Sequence, residues 1–311
     1  MTEPAERRDG GTLLLTGVAS FTGSHIARAC RDAGIRVIGA LTRELDDYAT
    51  PLLRRRLAHS GVEDWIERAP FGSQRLTDAM RETRPRVFIH HGADLKRYRD
   101  PDFDVQECVR TNCENARPVF EALSAAGCER LVYSGTFFEP DGDRPAVSSY
   151  GIAKALIWHE YAKSAAAAGL ATTKIFIPNP VGPMENEGRL FPSFAEIWKG
   201  GGRPTLRTPH LVRDNLPAPW LAARYASEAC RSGAHGDRYL RPSGYVMSNL
   251  EFVKLFLGWV ARVARREYEI DVAPIETSEP EVRHNTEPCP ESTDPAAEDL
   301  FWSSWIAALE L

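Results

Sequence analysis

An apolar run, Leu13-Leu14-Leu15, breaks directly into Thr16-Gly17-Val18-Ala19-Ser20-Phe21-Thr22-Gly23. A strand that gives way to a small-residue turn and then opens a helix is how α/β proteins hold a dinucleotide pyrophosphate, because the helix start presents unpaired N–H groups. Gly17 lets the chain turn tightly after the strand, and Gly23 lets the helix pack close to the sheet. Ser20 stands at the middle position, where a glycine commonly gives the closest approach to phosphate. A serine is small, and its hydroxyl is able to bond a phosphate oxygen. Taken alone, the turn also fits a strand–helix corner with no ligand.

The rest of the first half keeps the same rhythm. Thr22 to Ala33 reads as a helix ended by Gly34, and Arg36 to Leu41 as the second strand. Val87-Phe88-Ile89-His90, Arg130-Leu131-Val132-Tyr133 and Lys174-Ile175-Phe176-Ile177 are further short apolar runs. Strands alternating with helices imply an α/β fold, a doubly wound parallel sheet of the Rossmann kind. Val105, Cys108, Val109, Asn112, Ala116, Val119, Phe120 and Leu123 keep helical spacing. Asn112 lies on that apolar face and needs buried partners, and Pro118 predicts a kink. Residues 1–180 are therefore expected to form the dinucleotide domain. Residues 181–311 should form mainly a smaller substrate-binding lobe, with about 210–242 returning to the sheet. Val272 to Asp299 is rich in Pro, Glu, Ser and Thr and reads as irregular. Phe301, Trp302 and Trp305 mark a terminal helix docking back.

At 311 residues, with 26% charged and 43% hydrophobic residues, the chain has the make-up of an ordinary globular protein. A formal net charge of −5 gives no reason to expect nucleic acid or an anionic membrane as partner. Arg54-Arg55-Arg56 reads as a solvated helix face. No apolar stretch approaches the roughly 20 residues of a membrane span, and the polar start, Met1 to Gly11, lacks the apolar core of a secretory signal. The 6 cysteines form no CxxC pair and have no histidine at zinc-finger spacing, so reduced thiols in a cytoplasmic protein without a metal site are expected.

Tyr150-Gly-Ile-Ala-Lys154 carries the chemistry. A Tyr and a Lys four apart share one helix face and present a phenol and an ammonium together. A free phenol titrates near pH 10. A neighbouring ammonium favours the phenolate, and bringing it to about 7 takes roughly 4 kcal/mol. Tyr150 is then the proton donor or acceptor at a substrate oxygen while hydride moves at a cofactor. Ser134-Gly135-Thr136 follows the strand ending at Tyr133, at the carboxyl end where ligands sit. Thr136 is the choice for orienting the substrate oxygen, with Ser134 in reserve. After the second strand, Thr42-Arg43 stands where an NAD-specific site would place an acid. An arginine there pairs with a 2′-phosphate, which favours NADP(H) over NAD(H).

These features together resemble the extended short-chain dehydrogenase/reductases of the nucleotide-sugar epimerase, dehydratase and reductase group, over nearly the whole length. Thr16 to Gly23 is similar to the family's TGxxGFxG turn, which implies Gly17, Ser20, Phe21, Thr22 and Gly23 at the cofactor. His90-His91-Gly92-Ala93 stands where the family has HLAA, adding His91, Gly92 and Ala93. Asn112 falls where a helix Asn often supports the catalytic Lys. Thr136, Tyr150 and Lys154 match the catalytic triad. Pro178-Asn179-Pro180 resembles the segment bordering the nicotinamide, which assigns Pro178 to the cofactor and Asn179 to the nucleotide sugar. Val212-Arg213-Asp214 looks like the family's RDxxxV segment and assigns Arg213 to the nucleotide end. Arg241 and Arg283 are weaker candidates for a diphosphate.

The chain departs from the family in three places. Ser20 replaces a glycine, and the loop between Thr136 and Tyr150 is shorter than usual. Phe137-Phe138 stand where 4,6-dehydratases carry an Asp-Glu acid/base pair, so dehydration is disfavoured and the two rings are expected along the substrate pocket. The resemblance, with Arg43, implies NADP-dependent reduction of a 4-keto sugar nucleotide. Alternatives are a 4-epimerase, a catalytically silent NADP-binding regulator, and reduction of a non-sugar ketone. It also implies a homodimer, paired through helices near 105–123 and 150–167.

Overall fold

The computed structural model describes residues 11–311 apart from 96, 97, 99, 101, 233–235 and 278. The polar start falls outside these described residues as far as position 10. In chain order the elements begin β1 (Thr12–Thr16), α1 (Phe21–Asp32), β2 (Arg36–Ala40), α2 (Pro51–Ser60), β3 (Asp64–Ile66), α3 (Gln74–Thr83) and β4 (Val87–His90). Next come α4 (Val105–Cys113), α5 (Ala116–Ala125), β5 (Arg130–Thr136), α6 (Ser149–Ala167), β6 (Ala171–Ile177) and β7 (Asn179–Val181). Then follow α7 (Leu190–Lys199), β8 (Thr205–Leu206), β9 (Val212–Pro217), α8 (Ala218–Cys230), β10 (Arg238–Leu240), β11 (Pro242–Ser243) and β12 (Tyr245–Ser248). The chain closes with α9 (Asn249–Ala264), β13 (Asp271–Val272), β14 (Val282–Arg283), β15 (Glu287–Pro288) and α10 (Pro295–Leu309).

The described residues divide into two compact units. The first runs to Gly135 and takes in Ser148–Ile175 and Ala222–Tyr239; the second holds Thr136–Val147, Phe176–Leu221 and Leu240–Leu311.

The seven-stranded sheet has the order β10-β6-β5-β4-β1-β2-β3. β1 pairs in parallel with both β2 and β4, β2 with β3, and β4 with β5. This is the doubly wound arrangement that the alternating pattern predicts. β4 and β5 are buried along their whole length, as strands covered on both faces must be. β3, only Asp64-Trp65-Ile66, is too short for its periodicity to be read from sequence. The order reverses between β1 and β4, and their ends meet in the pair Thr16↔His90. Ligands of such sheets lie outside the carboxyl ends at this reversal.

The helix expected over residues 105–123 is two helices, α4 and α5, divided at Glu114 and Asn115. Pro118 explains the break: it lacks an N–H, and its ring clashes with the carbonyl four residues earlier, which is that of Glu114. At the C-terminal end of α8, Arg130 donates through Nη1 to Glu228 O at 3.1 Å and Arg231 O at 3.0 Å. Arg86 donates to Arg231 O and Ala229 O. Two guanidinium groups thus satisfy carbonyls that the helix leaves open.

In the second unit β9 pairs antiparallel with β12 and in parallel with β7 and β14. Its core is aromatic: Phe191, Phe252, Phe256, Phe301, Trp302 and Trp305 are all buried in one cluster. α10 supplies the last three, as the terminal aromatics imply. It starts at Pro295, inside the stretch read as irregular, because Asp294 caps it by accepting from Ala296 N and proline suits a first helical position.

Candidate active site

The glycine turn is forced by close approach. Gly17 has φ +76°, and a Cβ there would lie 2.8 Å from Gly92 N. A Cβ on Gly23 would lie 2.0 Å from Gly17 O. Thr16 locks the corner: its Oγ1 accepts from His91 N at 3.1 Å and Gly92 N at 3.0 Å. Ser20 caps α1, its Oγ accepting from Gly23 N at 3.0 Å. That bond uses a lone pair and leaves the hydroxyl proton able to donate to an anion at the helix start. A cradle cleared of side chains at a helix N-terminus, on the switch point of a parallel sheet, fits a dinucleotide pyrophosphate. Phe21, Thr22, Gly23, Gly92 and Ala93 border it by sequence position.

Beyond β2, the exposed Arg43 stacks its guanidinium 4.5 Å from the centre of the buried Tyr48 ring. Thr42 Oγ1 lies 3.4 Å from the Tyr48 hydroxyl. The next acid, Glu44, is paired with Arg68, and Asp47 accepts from Glu44 N. Among the described residues Arg43 makes no ion pair, so its flat cation is held by the ring with its donors available.

Tyr150 and Lys154 lie on α6, four apart. Tyr150 is half-buried, and its ring meets that of Tyr98 at 5.0 Å between centres. Lys154 is 4% exposed, with its ammonium 4.2 Å over the Tyr133 ring. Asn112 is buried, and its amide clasps the loop after β4. Its Oδ1 accepts from Asp94 N at 3.0 Å, and its Nδ2 donates to Asp94 O at 2.9 Å and Cys108 O at 2.8 Å. Its own carbonyl accepts from the Tyr161 hydroxyl at 2.7 Å. Asn112 therefore organises backbone beside the Tyr–Lys helix.

His90 and His91 flank this region. Burial, then the charge of Lys154, pushes each imidazole down to about 3, so both are neutral near pH 7. His91 Nε2 lies 2.8 Å from Thr22 Oγ1, and its Nδ1 lies 2.6 Å from Ser134 Oγ. Ser134 Oγ in turn lies 2.7 Å from the Tyr225 hydroxyl. Ser134, the reserve for Thr136, is thus committed to its neighbours. Tyr98 and Tyr225 were not legible as site residues, since isolated tyrosines in a loop and a helix carry no spacing signal.

The remaining candidates lie in the second unit. Thr136 is 5% exposed; its backbone N–H donates to Glu139 Oε1 at 2.8 Å, and its Oγ1 accepts from Phe138 N at 3.3 Å. Phe137 is buried and Phe138 partly so, with ring centres 4.7 Å apart. Pro178, between β6 and β7, is buried. Asn179 Nδ2 donates to Asn215 Oδ1 at 2.7 Å, and its Oδ1 accepts from Arg189 Nη2 at 2.8 Å.

The Arg213 guanidinium donates to Glu279 at 2.7 Å and to Val212 O, Pro280 O and Glu281 O. Arg241 pairs with Asp141 at 2.8 Å. Arg283, 5% exposed, donates to the carbonyls of Phe137, Glu139 and Pro145. Arg241 and Arg283 therefore pin the short 137–147 loop. Among the described residues no His, Cys, Asp and Glu group is arranged for a metal, no helix is long and apolar enough to cross a membrane, and all 6 cysteines are free thiols.

A family model described as the NAD dependent epimerase/dehydratase family matches residues 13–209. Among solved structures, the chain is similar to UDP-glucuronic acid 4-epimerase from Bacillus cereus in complex with UDP-glucuronic acid and NAD. The TM-score is 0.72 at 14% identity, covering 96% of this chain and 99% of that one. It is also similar to UDP-N-acetylglucosamine 4-epimerase from Methanobrevibacter ruminantium, with TM-score 0.72, 14% identity and coverage of 96% and 98%. A third is UDP-glucose 4-epimerase from Thermus thermophilus in complex with NAD, with TM-score 0.67, 20% identity and coverage of 96% and 99%. No curated protein matches the sequence. At such identities the structural likeness carries the fold alone.

Proposed function

Because the chain belongs to the NAD dependent epimerase/dehydratase family, we propose that it is a nicotinamide-dependent 4-epimerase of a nucleotide-linked sugar. The observation that carries this reading is Tyr150 on the same face of α6 as Lys154, whose buried ammonium is held over Tyr133. The similar solved structures are named as UDP-sugar 4-epimerases, and this reading carries their activity over to the chain ahead of net reduction. A nicotinamide dinucleotide held there would accept the hydride from C4 and give it back. Tyr150 takes the proton from the sugar O4 as the C4–H bond breaks, and returns it when hydrogen is restored to the opposite face. Lys154 stabilises the phenolate by its charge. Asn112 fixes the backbone beside them. The glycine turn, with Ser20 and the start of α1, holds the pyrophosphate. Thr136 is assigned the hydrogen bond that orients the substrate oxygen, Phe137 and Phe138 its apolar wall, and Asn179 with Arg213 the nucleotide end.

Net reduction of a 4-keto sugar nucleotide is the second reading, and Arg43 favours it. A stacked arginine with no paired acid suits a 2′-phosphate, and NADP(H) is the pool that reductases consume. The exposed Ile152 and Leu156 on α6 support a homodimer paired through α4 and α6.

The deciding experiment incubates the protein with UDP-glucose, UDP-glucuronic acid and UDP-N-acetylglucosamine without added cofactor, and in parallel with NADPH and 4-keto-6-deoxy sugar nucleotides. Interconversion with no net NADPH loss establishes the epimerase. Oxidation of NADPH in step with substrate establishes the reductase. Failure of both, with NADPH still bound, leaves a silent dinucleotide-binding regulator.

A further inference from the structure

We propose that Tyr225 is a positioning residue for the dinucleotide, acting through Ser134 and His91 to make the Thr22 hydroxyl an obligate donor at the head of α1, where its acceptor is a phosphate oxygen. The last link rests on the dinucleotide reading above; the direction of the chain does not.

The four residues come from four elements: Thr22 from α1, His91 from the loop after β4, Ser134 from β5 and Tyr225 from α8. They form a continuous line of contacts at 2.8, 2.6 and 2.7 Å. The direction of donation follows from counting protons. Tyr225 is 0% exposed, and among the described residues Ser134 Oγ is its one hydrogen-bond partner. A buried hydroxyl proton with no acceptor is costly, so Tyr225 donates to Ser134. Ser134 has one proton, and it goes to His91 Nδ1. His91 is a neutral imidazole, so with Nδ1 accepting, its single proton is on Nε2 and goes to Thr22 Oγ1. Thr22 keeps its own proton, for which the described residues offer no acceptor.

The reverse orientation would strand a proton on the sealed Tyr225 phenol. The forward one leaves it on Thr22, the second residue of a helix whose first-turn N–H groups already favour an anion. The relay thus converts a distant buried phenol into a fixed donor at the phosphate cradle.

The test uses the intact protein labelled with 15N-histidine, with His91 assigned by its loss in His91→Gln. Long-range 15N–1H correlation should show His91 as the Nε2–H tautomer. In Tyr225→Phe the Nδ1–H form should gain population, and Ser134→Ala, which cuts the same chain, serves if that variant folds poorly. Nicotinamide fluorescence titrations with NADH and NADPH should show Thr22→Val weakening binding about five- to tenfold. Adding Tyr225→Phe to Thr22→Val should weaken binding no further. An Nδ1–H tautomer in the wild type, or additive losses in the double variant, overturns the relay. A wild type with the Nε2–H tautomer that binds neither dinucleotide overturns the phosphate acceptor and the cofactor reading, while the relay's direction stands.

Discussion

The ammonium of Lys154 lies 4.2 Å over the ring of Tyr133, and the same charge helps hold both neighbouring histidines neutral. Burial lowers both imidazoles first, and the Lys154 charge lowers both further. Lys154→Met should lower turnover by about a hundredfold or more and raise the titration midpoints of His90 and His91, read by NMR. Unmoved histidines would show that the Lys154 charge does not reach them.

Acid should destabilise the fold through His90. This imidazole is 2% exposed and titrates at about 3, against an ordinary 6.5. As pH falls, the unfolded chain takes up this proton first. The contribution is therefore complete above pH 6.5 and is lost as the pH drops toward 3, at up to about 1.4 kcal/mol per pH unit. Urea midpoints at pH 7 and pH 5 should differ more for the wild type than for His90→Gln. Equal differences would assign the acid sensitivity to other groups.

Arg43→Ala should reduce the ratio of NADPH to NADH affinity by about tenfold or more, the worth of a charge-assisted bond to a 2′-phosphate. Affinities for both cofactors come from the same fluorescence titration. An unchanged ratio would remove Arg43 from the cofactor site.

Gly17→Ala should destabilise the first unit more than Gly127→Ala. Both glycines have positive φ, +76° and +84°, but a Cβ at Gly127 meets nothing within 4 Å, whereas one at Gly17 meets Gly92. The control reports backbone strain of about 1 kcal/mol, and the excess reports the close approach of β1 and β4. Equal losses in chemical denaturation would mean that the corner relaxes freely.

Arg283→Met should cost about 3 kcal/mol or more, because it withdraws donors from three carbonyls of the 137–147 loop. Asp141→Asn, at the half-open Arg241 pair, should cost about 1 kcal/mol or less. Protease cleavage within the loop should rise in the first variant and hardly change in the second.

Ile152→Glu combined with Leu156→Glu should turn a dimer into a monomer at micromolar concentration, measured by light scattering. A wild type that is already monomeric would defeat the α4–α6 pairing.

Sequence pattern alone was enough for β1, α1, β2, β4, β5 and β6, the glycine corner, the helix that carries Tyr150 and Lys154, and the terminal aromatic helix. These are local signals: a change from apolar run to small residues, four-residue spacing on one helix face, and proline or glycine at helix limits. Even the break between α4 and α5 was announced by Pro118, four residues from the carbonyl it disrupts. Which polar groups meet was settled by packing between distant segments. Ser134 was a free candidate for the substrate oxygen until β5 set it between His91 and Tyr225. Arg241 and Arg283 read as diphosphate partners, yet they hold a loop that lies 100 and 146 positions earlier in the chain. A side chain's partners depend on which strand lies beside it. That is fixed by packing across the whole sheet, and no local pattern of residues encodes it.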